Sequence, residues 1–178
     1  MKKFLLILII TLVLSSCSTN SKSTQSFEPV SCSTIAKQPA SDVPILNIKL
    51  PCADGKSLVA LNEVRGPAII NVWASWCDPC KNELPFFKSI SKLYGGKLQL
   101  LGIDVEENNP HDGLKFVAEN KLNWPQLSDK KGSTRVLFGM GIPVTLFISE
   151  DGQIIYKKIG PFKSLQQIQR LIELFFHL

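Results

Sequence analysis

Residues Trp73 to Pro85 read WASWCDPCKNELP, and they hold two cysteines, Cys77 and Cys80, with two residues between them. The nearly continuous apolar run AIINVWA (68–74) leads into this stretch, and such a run is typical of a central strand buried on both faces. We therefore predict a strand over residues 68–74 and a helix over residues 79–94. The cysteine pair falls where the strand meets the helix. Because reacting groups collect at the carboxyl ends of strands in α/β sheets, this junction is the candidate functional site.

The rest of the chain also reads as an α/β protein. Apolar periodicity and turn residues predict further elements at these positions: a strand pair at 45–50 and 57–61, a buried strand at 98–105, short helices at 113–121 and 133–139, a hairpin of strands at 144–149 and 153–159, and an amphipathic helix at 164–176. This order predicts one β-hairpin followed by a sheet with helices packed against it.

Composition and charge narrow the class of protein. The chain has 178 residues, of which 44% are hydrophobic and 20% are charged, and this composition supports a folded core rather than disorder. The formal net charge is +5, but the basic residues form no stripe interleaved with aromatics. We therefore expect no binding to nucleic acid.

The N-terminus predicts export. Two lysines are followed by the apolar run FLLILIITLVL, which is too short to span a bilayer comfortably and reads as a secretory signal. The next residues, LSSC, resemble the lipobox of bacterial lipoproteins. The resemblance implies a signal peptide over residues 1–16 and a lipid on Cys17. The small polar residues STNSKSTQS that follow indicate a flexible tether over residues 17–41, and the periodic pattern from Asp42 indicates a folded domain over residues 42–178. The alternative is an ordinary signal peptide with a chance cysteine.

A lipobox would also account for the cysteine count. Of the five cysteines, a lipid on Cys17 leaves four, which can pair in an oxidising compartment. By parity we predict a structural disulfide between Cys32 and Cys52. Two free thiols, or a second redox pair that relays electrons to Cys77, are the alternatives.

Three roles compete for Cys77 and Cys80. A structural zinc ion would need two more Cys or His ligands, and His111 and His177 lie far apart without ligand spacing. A purely structural disulfide would close a tiny loop and stabilise the fold little. A redox role fits best, because unpaired N–H groups at a helix start favour a thiolate on Cys77. Cys80, one turn later, could then resolve a mixed disulfide.

Three segments together resemble one family. NVWASWCDPCKNELP (71–85), LNWPQLSDKKGSTRVLFG (122–139) and GIPVTLFISEDGQIIYKKIG (141–160) are similar to the TlpA/ResA group of thioredoxin-like proteins. The resemblance runs from about Asp42 to the C-terminus. It implies a thioredoxin-like α/β fold, with a central mixed sheet flanked by helices and an N-terminal β-hairpin extension. It also implies an enzyme, a thiol–disulfide oxidoreductase.

The resemblance assigns roles to further residues. Pro143 would follow a cis peptide bond and lie beside Cys77, and the backbone of Ile142 would pair with a substrate strand. Trp76 would border Cys77 and contact substrate, although core packing alone would also explain a tryptophan there. An ordinary trans turn proline is the alternative for Pro143.

Proton transfer has two candidate positions. Thioredoxin has a buried acid in the strand before its active site, and this chain has Asn71 there, which cannot exchange protons. The TlpA/ResA group instead suggests an acid shortly after the second cysteine, a position that Glu83 matches on the same helical face as Cys80. The alternative for Glu83 is a solvated acid that stabilises the first helical turn. Asp78, between the cysteines, disfavours a nearby thiolate and so favours a reductant over an oxidant.

The resemblance also suggests location and partners. We expect an extracytoplasmic protein that is anchored to the bacterial cell membrane by its lipid and reduces disulfides in exported proteins. The group suggests cytochrome c apoproteins as substrates and a membrane thiol-reducing protein as electron donor. We expect a monomer that needs no cofactor or metal ion. An oxidant or isomerase of exported proteins, and a non-enzymatic metal-binding lipoprotein, are the alternatives.

Overall fold

The computed structural model describes residues 27–37, 47–109, 111–139 and 141–178. The predicted signal peptide and Cys17 lie outside the described residues. The elements are seven strands and four helices in the described parts: β1 (Lys49–Pro51), β2 (Leu58–Ala60), β3 (Ala68–Trp73), α1 (Asp78–Tyr94), β4 (Gln99–Val105), α2 (Asp112–Glu119), β5 (Gln126–Asp129), α3 (Arg135–Phe138), β6 (Val144–Ile148), β7 (Ile154–Ile159) and α4 (Leu165–Phe176). None of the helices in these ranges is both long enough and apolar enough to cross a bilayer.

Five strands form one mixed sheet in the order β5-β4-β3-β6-β7. Strand β3 lies at its centre, parallel to β4 and antiparallel to β6, and all six of its residues are buried. The central position of β3 explains the nearly continuous apolar run in the sequence, because a strand covered on both faces has no face exposed to solvent. The predicted central mixed sheet is confirmed.

Helices cover the sheet through aromatic contacts. Phe116 of α2 packs against Trp73 of β3, with ring centroids 4.9 Å apart. Phe175 and Phe176 of α4 pack against Phe147 of β6 at 5.9 and 5.7 Å. The predicted N-terminal hairpin is present as a separate antiparallel pair, β1 and β2. The predicted α/β class with flanking helices and an N-terminal hairpin is therefore confirmed.

Strand β5 has no counterpart in the prediction from sequence. Its residues, QLSD, pair in parallel with β4 at the sheet edge. Gln126 and Asp129 are each 1% exposed, so polar side chains fill positions where apolar ones would have signalled a strand. Gln126 is buried because its side-chain oxygen accepts a hydrogen bond from the Trp73 indole at 3.0 Å.

Residues 27–37, which the sequence assigned to the flexible tether, pack against the domain. Cys32 is 1% exposed and Ile35 is 7% exposed. The backbone N–H of Ala36 donates to the Gln99 side chain at 2.7 Å, and the Arg65 N–H donates to the Ala36 carbonyl at 3.1 Å. The tether assignment is therefore wrong for this segment. The physical reason is that the disulfide of Cys32 and the buried side chains of Cys32 and Ile35 hold the segment against the domain.

Candidate active site

The cysteine pair lies at the junction of β3 and α1. Cys77 is the N-cap residue of α1, and its sulfur accepts a hydrogen bond from the Cys80 N–H at 3.2 Å. The two cysteines form a disulfide with their Cα atoms 5.3 Å apart. Both side chains are nearly buried, at 4% and 5% exposed. A helix N-terminus directs unpaired N–H groups and the positive end of the helix dipole at Cys77 Sγ, which stabilises negative charge there.

The loop before β6 reaches the same end of the sheet. Val144 pairs with Val72 near the carboxyl end of β3. The preceding Ile142–Pro143 peptide therefore lies at the same end of the sheet as the cysteine pair, which follows β3. This peptide bond is cis. Ile142 and Trp76 line one small crevice of about 30 Å³. The structure thus brings together the two residues for which substrate contact was expected.

Trp76 lies at the surface of this crevice with its indole fixed. Its side chain is 48% exposed, and its Nε1 donates a hydrogen bond to the Glu106 carbonyl at 3.1 Å. Core packing does not account for a tryptophan that is half in solvent. The exposed ring instead offers an apolar face next to Cys77.

Glu83 is completely buried, at 0% exposed. Its Oε1 accepts from the Asn71 side-chain amide at 3.0 Å, and its Oε2 accepts from the Phe162 backbone N–H at 2.9 Å. The alternative of a solvated acid at the helix surface is therefore wrong. Burial raises the pKa of Glu83 to about 7, against the lowering effect of the two hydrogen bonds and the nearby charge of Lys158.

Asn71 supports Glu83 as a hydrogen-bond donor. It lies in β3 and is 8% exposed, and its amide nitrogen is also 3.4 Å from the Thr145 hydroxyl oxygen. A neutral amide satisfies the buried carboxyl without adding a second charge. Glu83 is thus the ionisable member of this buried pair, one helical turn after Cys80.

Asp78, the first residue of α1, points into solvent. Its side chain is 84% exposed and pairs with Lys81 at 3.0 Å. Solvent and the lysine both weaken its field at the sulfur atoms. Asp78 therefore opposes a thiolate on Cys77 less strongly than its place in the sequence suggests.

The prediction from sequence missed the loop that follows β4. The Glu107 carboxylate accepts two hydrogen bonds from Ser75, from its backbone N–H at 2.5 Å and from its hydroxyl at 2.6 Å. The neighbouring Glu106 carboxylate pairs with Arg135 of α3. The signal was present in the sequence, because two acids directly follow a buried strand whose carboxyl end faces the cysteine junction.

Cys32 and Cys52 form the second disulfide, with Cα atoms 6.0 Å apart. Cys52 makes an antiparallel bridge to Leu127 of β5, and Cys32 Sγ lies 3.7 Å from the Gln126 carbonyl. The Cys32–Cys52 disulfide lies beside β5, and the Cys77–Cys80 disulfide follows β3. Strand β4 lies between β5 and β3 in the sheet. Within the described ranges, no three His, Cys, Asp or Glu side chains gather as a metal-binding group.

Two proteins similar to this chain are named thiol-disulfide oxidoreductases. The chain is 34% identical over 102 residues to sporulation thiol-disulfide oxidoreductase A of Bacillus subtilis, which covers 55% of this chain and 62% of the relative. It is 32% identical over 107 residues to the thiol-disulfide oxidoreductase ResA of Oceanobacillus iheyensis, with 56% of this chain and 53% of the relative covered. The chain therefore spans less than two thirds of either relative.

A solved structure and a family model extend the comparison. The crystal structure of StoA from Bacillus subtilis superposes with a TM-score of 0.58 and 28% identity, over 69% of this chain and 93% of StoA. The thioredoxin-like fold expected from the sequence is thereby confirmed. The AhpC/TSA family model matches residues 41–157, which is more than half of the chain, and this protein therefore belongs to the AhpC/TSA family.

Proposed function

We propose that this protein is a thiol–disulfide oxidoreductase whose reacting groups are Cys77 and Cys80. The observation that carries the proposal is a cysteine pair closed as a disulfide at a helix N-terminus, opposite the loop that contains Pro143. The relatives named as thiol-disulfide oxidoreductases support it.

The reaction is a two-step exchange. In the reduced protein, the Cys77 thiolate attacks one sulfur of a substrate disulfide and forms a mixed disulfide, and the other substrate sulfur leaves as a thiolate. The Cys80 thiolate then attacks Cys77 Sγ, which closes the Cys77–Cys80 disulfide and releases the second substrate thiol. Two electrons pass to the substrate, and an external dithiol must return them.

Cys77 is the better placed nucleophile. Its sulfur sits at the N-cap and accepts the Cys80 N–H, and both features stabilise its thiolate. Glu83 would take or supply the proton of Cys80, because a carboxyl with a pKa of about 7 is partly protonated near neutral pH. Its buried position one helical turn after Cys80 supports this role.

The crevice beside the pair would bind the substrate chain. The apolar face of Trp76 and the backbone of Ile142 flank the approach to Cys77. An extended peptide that pairs with the backbone at Ile142 would bring its disulfide to the Cys77 sulfur. We assign Pro143 to shaping this loop rather than to chemistry.

Trapping experiments test the proposal. Cys80→Ser should accumulate mixed disulfides between Cys77 and substrate proteins, because the resolving thiol is missing. Cys77→Ser should abolish turnover of a model disulfide and trap nothing. Non-reducing electrophoresis with mass spectrometry measures both. Trapping by Cys77→Ser alone would reverse the two roles, and full turnover by both variants would refute the function.

The location and partners are part of the same proposal. The LSSC motif supports a lipid on Cys17, an extracytoplasmic position on the bacterial membrane and substrates among exported proteins with disulfides, cytochrome c apoproteins included. A membrane thiol-reducing protein would return the electrons. Mass spectrometry of the mature N-terminus tests the anchor, since an unmodified Cys17 would exclude it.

A further inference from the structure

Two carboxyl groups lie behind the active-site turn. The turn runs from Ala74 to Cys77 and is closed by the Cys77 N–H, which donates to the Ala74 carbonyl at 3.1 Å. Ser75 lies within it and gives both its backbone N–H and its hydroxyl to the Glu107 carboxylate. Asp104 pairs with Trp73 in the β3–β4 register, two residues before Ser75, and Glu107 raises the pKa of Asp104 both as a hydrogen-bond partner and as a charge.

The hydrogen bonds decide which carboxyl carries a proton. Both oxygens of the Glu107 carboxylate accept hydrogen bonds from Ser75. Asp104 has the opposite surroundings, since its Oδ1 is buried and receives no hydrogen bond from any donor in the described ranges. Two ionised carboxylates in contact repel each other, so the pair is satisfied only when Asp104 keeps its proton and donates it to Glu107.

We propose that Asp104 is a positioning residue of the exchange reaction: its protonated carboxyl donates a hydrogen bond to the Glu107 carboxylate, which holds Ser75 two residues before Cys77. The inference rests on the proposed function of Cys77. When Asp104 loses its proton, two negative charges face each other, Glu107 moves away from the turn, and Cys77 is held less firmly. Exchange at Cys77 then slows as pH rises.

Charged groups of both signs lie around the pair and the turn. Gly113 of α2 approaches so closely that a Cβ there would meet Asp104 Oδ2 at 1.8 Å. Lys130, after β5, is the cation that shares a cavity of about 220 Å³ with Asp104. Further charges face the Ser75 side of the turn, from Lys81 of α1 and from α2, where they are Asp112, Lys115 and Glu119.

Together, these groups keep Asp104 protonated up to a pH above neutrality. Burial, the hydrogen bond to Glu107 and the Glu107 charge raise the pKa of Asp104 to about 8, while Lys130 lowers it. The positioning contact is therefore complete below pH 8 and is lost as pH rises through about 8.

The oxidised protein isolates this titration, because neither Cys77 nor Cys80 can ionise in a disulfide. We expect the Ser75 amide proton resonance to shift with a midpoint near pH 8, the pKa of Asp104. Asp104→Asn should abolish that shift, since an amide donates to Glu107 at every pH. Asp112→Asn, which removes another acid that faces the Ser75 side of the turn, should leave the shift unchanged. Absence of the shift in the wild type, or its persistence in Asp104→Asn, would overturn the proposal.

Kinetics test the effect on Cys77. The rate at which dithiothreitol reduces the Cys77–Cys80 disulfide should be compared between the wild type and Asp104→Asn at each pH, so that the ionisation of dithiothreitol cancels. The ratio of wild-type to variant rates should be constant below pH 8 and fall above it. A ratio that stays level across this pH would show that Asp104 does not position Cys77.

If Asp104→Asn fails to fold, a second variant tests the same carboxyl pair. Glu107→Gln removes the charge through which Glu107 raises the pKa of Asp104, and its amide can donate to an ionised Asp104. The carboxyl-carbon resonance of Asp104 should then titrate with a midpoint below 8, and an unchanged midpoint would refute the pair. If substrate turnover is absent while the Ser75 shift follows Asp104 as expected, the proposed enzymatic function fails and the carboxyl pair stands.

Discussion

At the scale of single residues, Glu83 shows how surroundings set the chemistry of a side chain. Two hydrogen-bond donors and a nearby lysine favour its charged form, yet the loss of hydration outweighs them and raises its pKa to about 7. The same residue on the helix surface would be an ordinary carboxylate. Its burial brings its pKa near neutral pH, as the proposed proton transfer requires.

This pKa shift predicts a pH-dependent stability. The pKa of Glu83 rises from 4.5 to about 7 on folding, so its contribution to stability is fully present below pH 4.5 and is lost as pH rises through about 7. Glu83→Gln should lack this dependence. Relative to the variant, the wild type should lose roughly 3 kcal/mol of unfolding free energy over that range.

Urea unfolding of the oxidised protein across this pH range measures the difference. Asp104 adds its own pH dependence to both proteins, and it cancels in the comparison. Glu150→Gln, at an exposed turn acid, is the matched control and should follow the wild type. Parallel pH profiles for the wild type and Glu83→Gln would contradict the buried, proton-carrying role.

At the scale of elements, the segment 27–37 depends on its disulfide. Cys32–Cys52 joins this segment to the chain that leaves β1, beside the edge strand β5. The segment is short, and apart from Cys32 it places few side chains against the core, Phe27 and Ile35 among them. A covalent link that restricts the unfolded chain is an effective way to hold such a segment.

Removal of this disulfide should therefore reduce stability and leave catalysis intact. For a sequence separation of 20, the chain-entropy model predicts a loss of roughly 3 kcal/mol in the Cys32→Ala/Cys52→Ala double variant. Denaturant unfolding measures the loss, and turnover of a model disulfide under folding conditions should match the wild type. A pair that relays electrons to Cys77 would behave in the opposite way, with lost turnover and little change in stability.

At the scale of the whole molecule, the balance between the oxidised and reduced protein sets the direction of electron flow. The helix start stabilises a thiolate on Cys77, whereas the Asp78 anion opposes it. The described residues place no histidine in the active-site crevice to assist the thiolate. The Asp78 charge and the absence of such a histidine favour a reductant, against the effect of the helix start.

The reduction potential should accordingly lie nearer to that of thioredoxin, about −270 mV, than to that of a strong oxidant, about −120 mV. Equilibration with glutathione buffers, followed by thiol alkylation, measures it. Asp78→Asn should move the potential upward, because removal of the anion stabilises the reduced form. The shift should be small, since Asp78 is exposed and paired with Lys81. A wild-type value at the oxidising end would establish an oxidant instead.

The sequence by itself determined the parts of this protein that depend on local patterns. The apolar run before Cys77 predicted the central strand β3, and the helix start at the cysteine pair followed from residue order. Cysteine parity paired Cys32 with Cys52, as found. These features need only near neighbours in the chain, or a count of residues, to be recognised.

Tertiary structure alone decided the features that depend on distant residues. Strand β5 is polar in sequence and exists because β4 pairs with it. Glu83 is buried because Asn71 and the Phe162 backbone meet it across the fold, and Ser75 finds Glu107 only where β3 and β4 end side by side. Burial and hydrogen bonding between residues far apart in sequence arise only when the chain folds, so no local pattern encodes them.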